Sequence, residues 1–293
     1  MICELCPRRC GAERCEDSGD GFCRMPAAPV VARAAKHFWE EPCISGESGS
    51  GTVFFSGCTL RCAFCQNMEI SAGGFGKRID APRLRGIFEE LIADGANNIN
   101  LVSPTPYIPW ILKALDEPLP VPVVWNTGGY ERAEILRSLA GKVQIYLPDL
   151  KYVSSELSQK YSGAGDYFEY AASAIREMFS QTRRYTVGED GLMRSGVIIR
   201  HLMIPGELEE TKRVIDWVAE NFESGDVKFS LMSQYTPRPE ASGNLARYVT
   251  KAEYRAACGY MRDCGIDDGF LQERTAAREE YTPPFDLTGV EKL

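Results

Sequence analysis

Cys58, Cys62 and Cys65 are spaced C-x3-C-x2-C in a segment rich in Phe, Gly and Ser. The residues just before them, Thr52 to Phe55, form a short apolar run that ends at Ser56 and Gly57. That pattern predicts a buried strand running out into a loop. Loops at the C-terminal ends of parallel strands are where α/β sheets and barrels bind ligands. Three thiolates so close on one loop fit three corners of an iron–sulfur cubane. No fourth cysteine follows at suitable spacing, so one iron would stay open to a ligand from outside the protein. The open corner turns an electron carrier into a reaction centre. A three-cysteine zinc loop is the other reading the spacing allows.

A second group, Cys3, Cys6, Cys10 and Cys23, reads C-x2-C-x3-C-x12-C, with Cys15 as a spare. This segment is too short to bury a hydrophobic core, so four thiolates are expected to hold it around a metal. Zinc and a second iron–sulfur cluster both suit that role. Pro7, Arg8 and Gly21 supply turns between the ligands. Cys43 could substitute for one of these ligands but is expected to be buried. Cys258 and Cys264 sit six apart on a helix and point about 120° apart, which suits core packing better than a shared metal. The only histidines are His37 and His201. His201 follows Arg200 on a strand, so the two side chains should point to opposite faces. Glu40 and Glu41 could form an acid–base pair of carboxylates, but they read more readily as solvated loop charges.

The rest of the chain alternates between two periods. Leu84, Ile87, Phe88, Leu91 and Ile92 mark a helix with one apolar stripe. Apolar runs at 98–102, 121–125, 143–147, 196–203 and 227–232 read as strands, each leading into polar or Gly/Pro-rich residues. With 52–55 that makes six strands joined by helical chain, which predicts an α/β fold with a parallel sheet and right-handed crossovers. Six falls short of the eight that close a full barrel. The strand tips Asn67, Ser103, Asn126, Asp149, Arg200 and Gln234 should gather at one end, and their shared location is what makes a site.

The chain has 293 residues, 33 basic against 41 acidic side chains and a net charge of −8. That balance argues against wholesale nucleic-acid binding and against a polybasic membrane patch. No apolar run approaches the ~20 residues of a spanning helix. The N-terminus lacks the apolar stretch of a secretory signal, so the chain is expected in the cytoplasm, where thiols stay reduced and clustered cysteines bind metal.

The cysteine loop, with Phe64 directly before its last cysteine, closely resembles that of the radical S-adenosylmethionine (SAM) superfamily. The resemblance implies a partial parallel (β/α)6 barrel over residues 50–240, an N-terminal Cys-rich module over 1–49 and a C-terminal extension over 241–293. It implies a [4Fe-4S] cluster on Cys58, Cys62 and Cys65 that cleaves SAM to a 5′-deoxyadenosyl radical. Asn126-Thr127-Gly128-Gly129, Asp149-Leu150-Lys151 and the stretch from Arg200 to Gly206 sharpen the likeness to the pyruvate formate-lyase activating enzymes. By that likeness Thr127, Asp149, Lys151 and Arg200 contact SAM, beside Phe64, Asn67, Asn126 and Gln234. Asn126 stands where the activases carry Asp. Ser103 or Thr105 replaces their Gly-Gly-Glu as holder of the SAM amino group. The activases take a glycyl-radical enzyme as partner and a flavodoxin- or ferredoxin-like electron donor. A rival reading keeps the chemistry but applies it to a small molecule or peptide, with the extension as a lid carrying Tyr248, Tyr254, Tyr260, Phe270, Tyr281 and Phe285. A third reading, a non-catalytic electron carrier, leaves the aligned polar tips without a task.

Overall fold

The computed structural model describes residues 2–272 and 282–291. Its strands are β1 (Val30–His37), β2 (Ser50–Phe55), β3 (Lys77–Arg78), β4 (Ile99–Val102) and β5 (Val123–Thr127), then β6 (Ile145–Pro148), β7 (Thr186–Val187), β8 (Met193–Leu202), β9 (Lys228–Met232) and β10 (Gly269–Gln272). They form one sheet in the order β10-β9-β8-β6-β5-β4-β2-β1-β3, with β7 on the side of β8. All six expected strands are present and pair in parallel. The fold is α/β.

Four strands, β1, β3, β7 and β10, were not expected. β10 adds a parallel strand beside β9, so the segment after residue 240 enters the sheet. It is four residues long and alternates exposed with half-buried positions, too short for its period to stand out. β1 lies antiparallel against the outer side of β2, where only the pairing, not the apolar pattern, defines it. Tyr281 of the expected lid lies outside the described residues.

Strand alternation divides the core into two layers. One face, with Phe55, Leu101, Trp125, Tyr146, Ile199 and Phe229, packs under the helices. The other face begins with an apolar floor of Val124, Ile145, Leu147 and Ile198, plugged by Cys43 and Ile44 from the turn before β2. Two residues further along each strand the same face turns polar: Val124 leads to Asn126, Leu147 to Asp149, Ile198 to Arg200. A period of two therefore lifts these side chains to one level above the floor. The helix Ala81–Ala93 shows how the outer layer is held. Asp80 caps it by accepting the Arg83 N–H, and Leu84, Ile87, Phe88 and Leu91 are buried beneath it.

The chain end crosses from one side of the sheet to the other. After β10, residues 287 and 288 lie beside β1, with Leu287 N–H donating to Ala32 O at 3.0 Å and Ala34 N–H to Thr288 O at 2.8 Å. Phe285 packs edge-on against Phe54, ring centroids 5.6 Å apart. Among the described residues, no helix is long and apolar enough to cross a membrane.

Candidate active site

Directly after β2 the chain turns sharply at Gly57, whose φ is +82° and whose absent Cβ would stand 2.2 Å from Met25 Cγ. Only glycine fits there. The turn delivers Cys58, Cys62 and Cys65 to a cavity of about 260 Å3 at the C-terminal ends of the parallel strands. Phe64, Asn67, Ser103, Asn126, Thr127, Asp149, Lys151, Arg200 and Gln234 line the same cavity, so the sequence-predicted strand tips are brought together. Thr105 is not among its walls. Its hydroxyl donates to Glu131 Oε1 at 2.6 Å, away from the cavity, which leaves Ser103 as the residue facing it.

Each thiol has a local donor. Ser162 Oγ–H donates to Cys62 Sγ at 3.0 Å, Leu60 N–H reaches Cys58 Sγ at 3.4 Å, and the Ser71 hydroxyl lies 3.3 Å from Cys65 Sγ. Donors to sulfur are one way a protein tunes an iron–sulfur centre. Burial pushes the Cys62 thiol up to about 12, with Lys151 acting against it, and burial raises Cys65 as well. A metal centre binding here would displace those protons. Among the described residues no three His, Cys, Asp or Glu side chains form a cage for a single ion. The loop thiols need none, because each cysteine of a cubane binds a different iron. Phe64 is buried among Tyr152, Tyr161 and Tyr235, with ring centroids 6.2–6.4 Å away, and anchors the loop on its apolar side.

Opposite the thiols stands a charged network. Asp149 accepts from Arg200 Nε at 3.0 Å and from Lys151 Nζ at 2.6 Å. Arg200 also donates to Glu40 Oε2 at 3.1 Å and to Asn126 Oδ1 at 2.6 Å. Burial alone would raise Asp149, but Arg200 and Lys151 outweigh it and hold the carboxyl below its usual range. Burial would likewise lower Lys151, yet the Asp149 carboxylate beside it outweighs burial and raises it, so the ammonium persists.

These observations correct one expectation. Glu40 and Glu41 are not solvated loop charges. The side chain of Glu40 is only 11% exposed and accepts from Asn100 and Asn126, both at 3.1 Å; Glu41 is fully buried. Thr127 reaches the cavity, but its hydroxyl is committed to Glu131 Oε1 at 2.5 Å. His201 behaves as expected, turned away from Arg200 and buried against Leu150 O and Thr211.

The matched residues of the Radical SAM superfamily model are 52–218, more than half of this chain and inclusive of the thiol loop. The chain belongs to the radical SAM superfamily. An uncharacterized protein of Methanocaldococcus jannaschii is 31% identical over 277 residues, 90% of this chain and 75% of the relative. Among solved structures, methylornithine synthase superposes with a TM-score of 0.52 at 15% identity, over 77% of this chain and 68% of that one. SuiB of Streptococcus suis bound to S-adenosylmethionine gives 0.48 at 16% identity, over 74% of this chain and 45% of that one. This radical SAM protein thus spans under half of SuiB.

Several positioning residues of this radical SAM protein were not legible in the sequence. The buried Tyr167 hydroxyl contacts the carbonyls of Gly128 (2.9 Å) and Asp149 (2.7 Å) and accepts Lys151 N–H at 3.0 Å, which fixes the backbone carrying the Asp–Lys pair. Gly129 belongs to the same device, since a Cβ there would meet Asp149 O at 2.1 Å. Arg8 reaches from the N-terminal module to the thiol loop, donating to Thr59 O at 2.9 Å, and to the end of the helix Ser155–Ser162, donating to Ser162 O at 2.8 Å. Arg61 Nη1 returns the contact to Phe22 O at 3.1 Å. Cys3, Cys6, Cys10 and Cys23 line a separate cavity of about 10 Å3. Cys258 and Cys264 join the core packing as expected, and Cys43 is buried.

Proposed function

We propose that this radical SAM protein holds a [4Fe-4S] cluster on Cys58, Cys62 and Cys65 and cleaves S-adenosylmethionine to a 5′-deoxyadenosyl radical that abstracts hydrogen from a substrate. The observation that carries the reading is one cavity faced by three thiols on one side and by Asp149, Lys151 and Arg200 on the other. The donor set fits the cluster: three soft sulfur ligands, each beside a hydrogen-bond donor, and no fourth cysteine on that cavity among the described residues. When bound, the cluster supplies an open iron for the methionyl group and the electron for cleavage, delivered by a flavodoxin- or ferredoxin-like donor. Lys151 and Arg200 offer cations to the SAM carboxylate. Asp149 offers an acceptor to ribose hydroxyls, and Ser103, Asn126 and Gln234 offer neutral polar contacts. Leu60, Leu202 and Met232 wall the cavity with apolar groups that exclude water from a reactive radical. Anaerobically reconstituted, dithionite-reduced protein is expected to form 5′-deoxyadenosine from SAM. Wild-type rates after replacing all three loop cysteines by Ala would overturn the reading.

A substrate that is a small molecule or peptide is favoured over a glycyl-radical partner protein by the course of the chain end. Thr282 and Pro283 line the cavity adjoining the SAM pocket, and the residues after them are fastened to β1. A glycine loop from a partner would need that mouth open. Stimulation of 5′-deoxyadenosine formation by a peptide containing a glycyl-radical loop sequence would reverse this preference.

The four N-terminal cysteines are proposed to bind a metal centre, zinc or a second iron–sulfur cluster. They line one small cavity together but are not drawn into a single-ion cage as they stand, so binding would have to pull the thiols closer.

A further inference from the structure

Beside the SAM pocket lies a second cavity of about 160 Å3. It shares Asn67, Asn126, Arg200 and Gln234 with the first, so an occupant would lie next to SAM. Its floor includes Glu40 and Glu41, and its walls include His37, Trp39 and Phe54.

Glu41 is fully buried, and neither of its carboxylate oxygens has a hydrogen-bond partner among the described residues. The nearby cations are already engaged. Arg200 directs Nε to Asp149, Nη1 to Glu40 and Nη2 to Asn126, while Lys151 is paired with Asp149. Among the described residues, three carboxylates thus face two cations. An independent observation points the same way: the buried Oε1 of Gln234, on the same cavity, also lacks a donor among the described residues. His37 does not supply the missing charge, because burial and Arg33 hold its ring down to about 4. The buried Ser230 hydroxyl beside Glu41 can offer it one hydrogen bond but no charge. Among the described residues the cavity therefore presents more acceptors than donors and a carboxylate without a counter-charge. A ligand that repairs both must bring several N–H donors and a positive charge. A primary ammonium has three donors and no acceptor, and the aromatic walls suit its apolar stem and its charge.

We infer that this second cavity is the substrate subsite and that it takes a primary ammonium group at Glu41, with Gln234 as the second acceptor. The inference rests on the radical SAM reading for the word substrate. The ammonium can belong to a small amine or to a peptide lysine.

The test uses the reconstituted protein with SAM bound and calorimetric titration with n-butylammonium, with n-butanol as the uncharged control. Wild type is expected to prefer butylammonium at least tenfold, and Glu41→Gln to reduce the preference below about twofold while SAM affinity stays unchanged. A blocked pentapeptide with one lysine, compared with its acetyl-lysine form, tests the peptide source; preference for either cationic probe supports the subsite. No preference for either in wild type, or an undiminished one in Glu41→Gln, overturns it. Should Glu41→Gln fail to fold, Thr282→Lys at the rim is expected to weaken butylammonium binding at least tenfold by supplying an ammonium of its own, and unchanged binding overturns the inference. Binding does not depend on turnover, so a preference for the cation without any 5′-deoxyadenosine formation would defeat the radical reading and leave the subsite standing.

Discussion

Asp149 and Arg200 meet across adjacent parallel strands, Oδ1 to Nε at 3.0 Å, and the contact couples the thiol-lined cavity to the buried carboxylates beneath it. Asp149 is also the anchor of Lys151, so one carboxylate orients both cations that face the cavity. A surface ion pair would contribute about 0–1 kcal/mol and nothing to a ligand. Asp149 and Arg200 are instead only 16% and 15% exposed in their side chains, inside a site. Loss of a charge-assisted contact there costs about 1.5–3 kcal/mol, roughly ten- to a hundredfold in affinity. Asp149→Asn is expected to weaken SAM binding by that factor while the visible spectrum of the cluster stays as in wild type. Equal SAM affinity in the two proteins would remove Asp149 from the binding machinery.

Arg8 ties the N-terminal module to the thiol loop and to the helix end at Ser162 through backbone carbonyls that a flexible ammonium cannot satisfy at once. Arg8→Lys should therefore lower stability by about 1–3 kcal/mol in urea unfolding. It should also speed tryptic cleavage after Arg61, which sits on the loop in a left-handed conformation with φ of 55°. An unchanged cleavage rate would show that the module is not a latch on the loop.

What the sequence revealed and what it hid follow from the range of the forces involved. The thiol loop and the strand tips are written locally, as spacing, strand period and punctuation, so Cys58 to Cys65, Asp149, Lys151 and Arg200 were legible as one site. Glu41 was not, because its burial depends on the turn before β2 folding under the sheet, against residues more than eighty positions away. Tyr167 and Glu131 were hidden for the same reason: their partners are brought to them by tertiary packing. Glu131 accepts from Thr105 and Thr127 and lies 3.4 Å from Trp125 Nε1, three groups whose convergence no local pattern announces. β10 was too short to show a period, and only its pairing with β9 identifies it.

The N-terminal site can be separated from the SAM site by mutation. Burial pushes the Cys6 thiol up to about 12 and raises Cys23, so without metal these ligands stay protonated. Metal binding must release those protons, and removing the metal returns the module to thiols too few in apolar neighbours to hold it. Protein with Cys58, Cys62 and Cys65 all replaced by Ala is expected to retain zinc or iron by elemental analysis. A folded module with neither would refute the metal site.

His201 should make stability depend on pH. It is 1% exposed, with Nδ1 2.7 Å from Leu150 O and Nε2 3.1 Å from Thr211 Oγ1. Burial pulls its pKa down to about 4, from an ordinary value near 6.5 in the unfolded chain. Between those values the unfolded state binds a proton that the native state refuses. The contribution is therefore complete above about pH 6.5 and is lost as pH falls towards 4, reaching roughly 3 kcal/mol in all. Glu40, Glu41 and Glu131 act in the opposite sense, because burial raises them and acidification relieves their cost. A comparison with His201→Gln isolates the histidine, since both proteins carry those carboxyls. In urea unfolding at pH 7.5 and pH 4.5, wild type should lose about 2–3 kcal/mol more on acidification than the variant. Parallel losses in the two proteins would mean that His201 takes up its proton in the folded state and is not the neutral strut between Leu150 and Thr211.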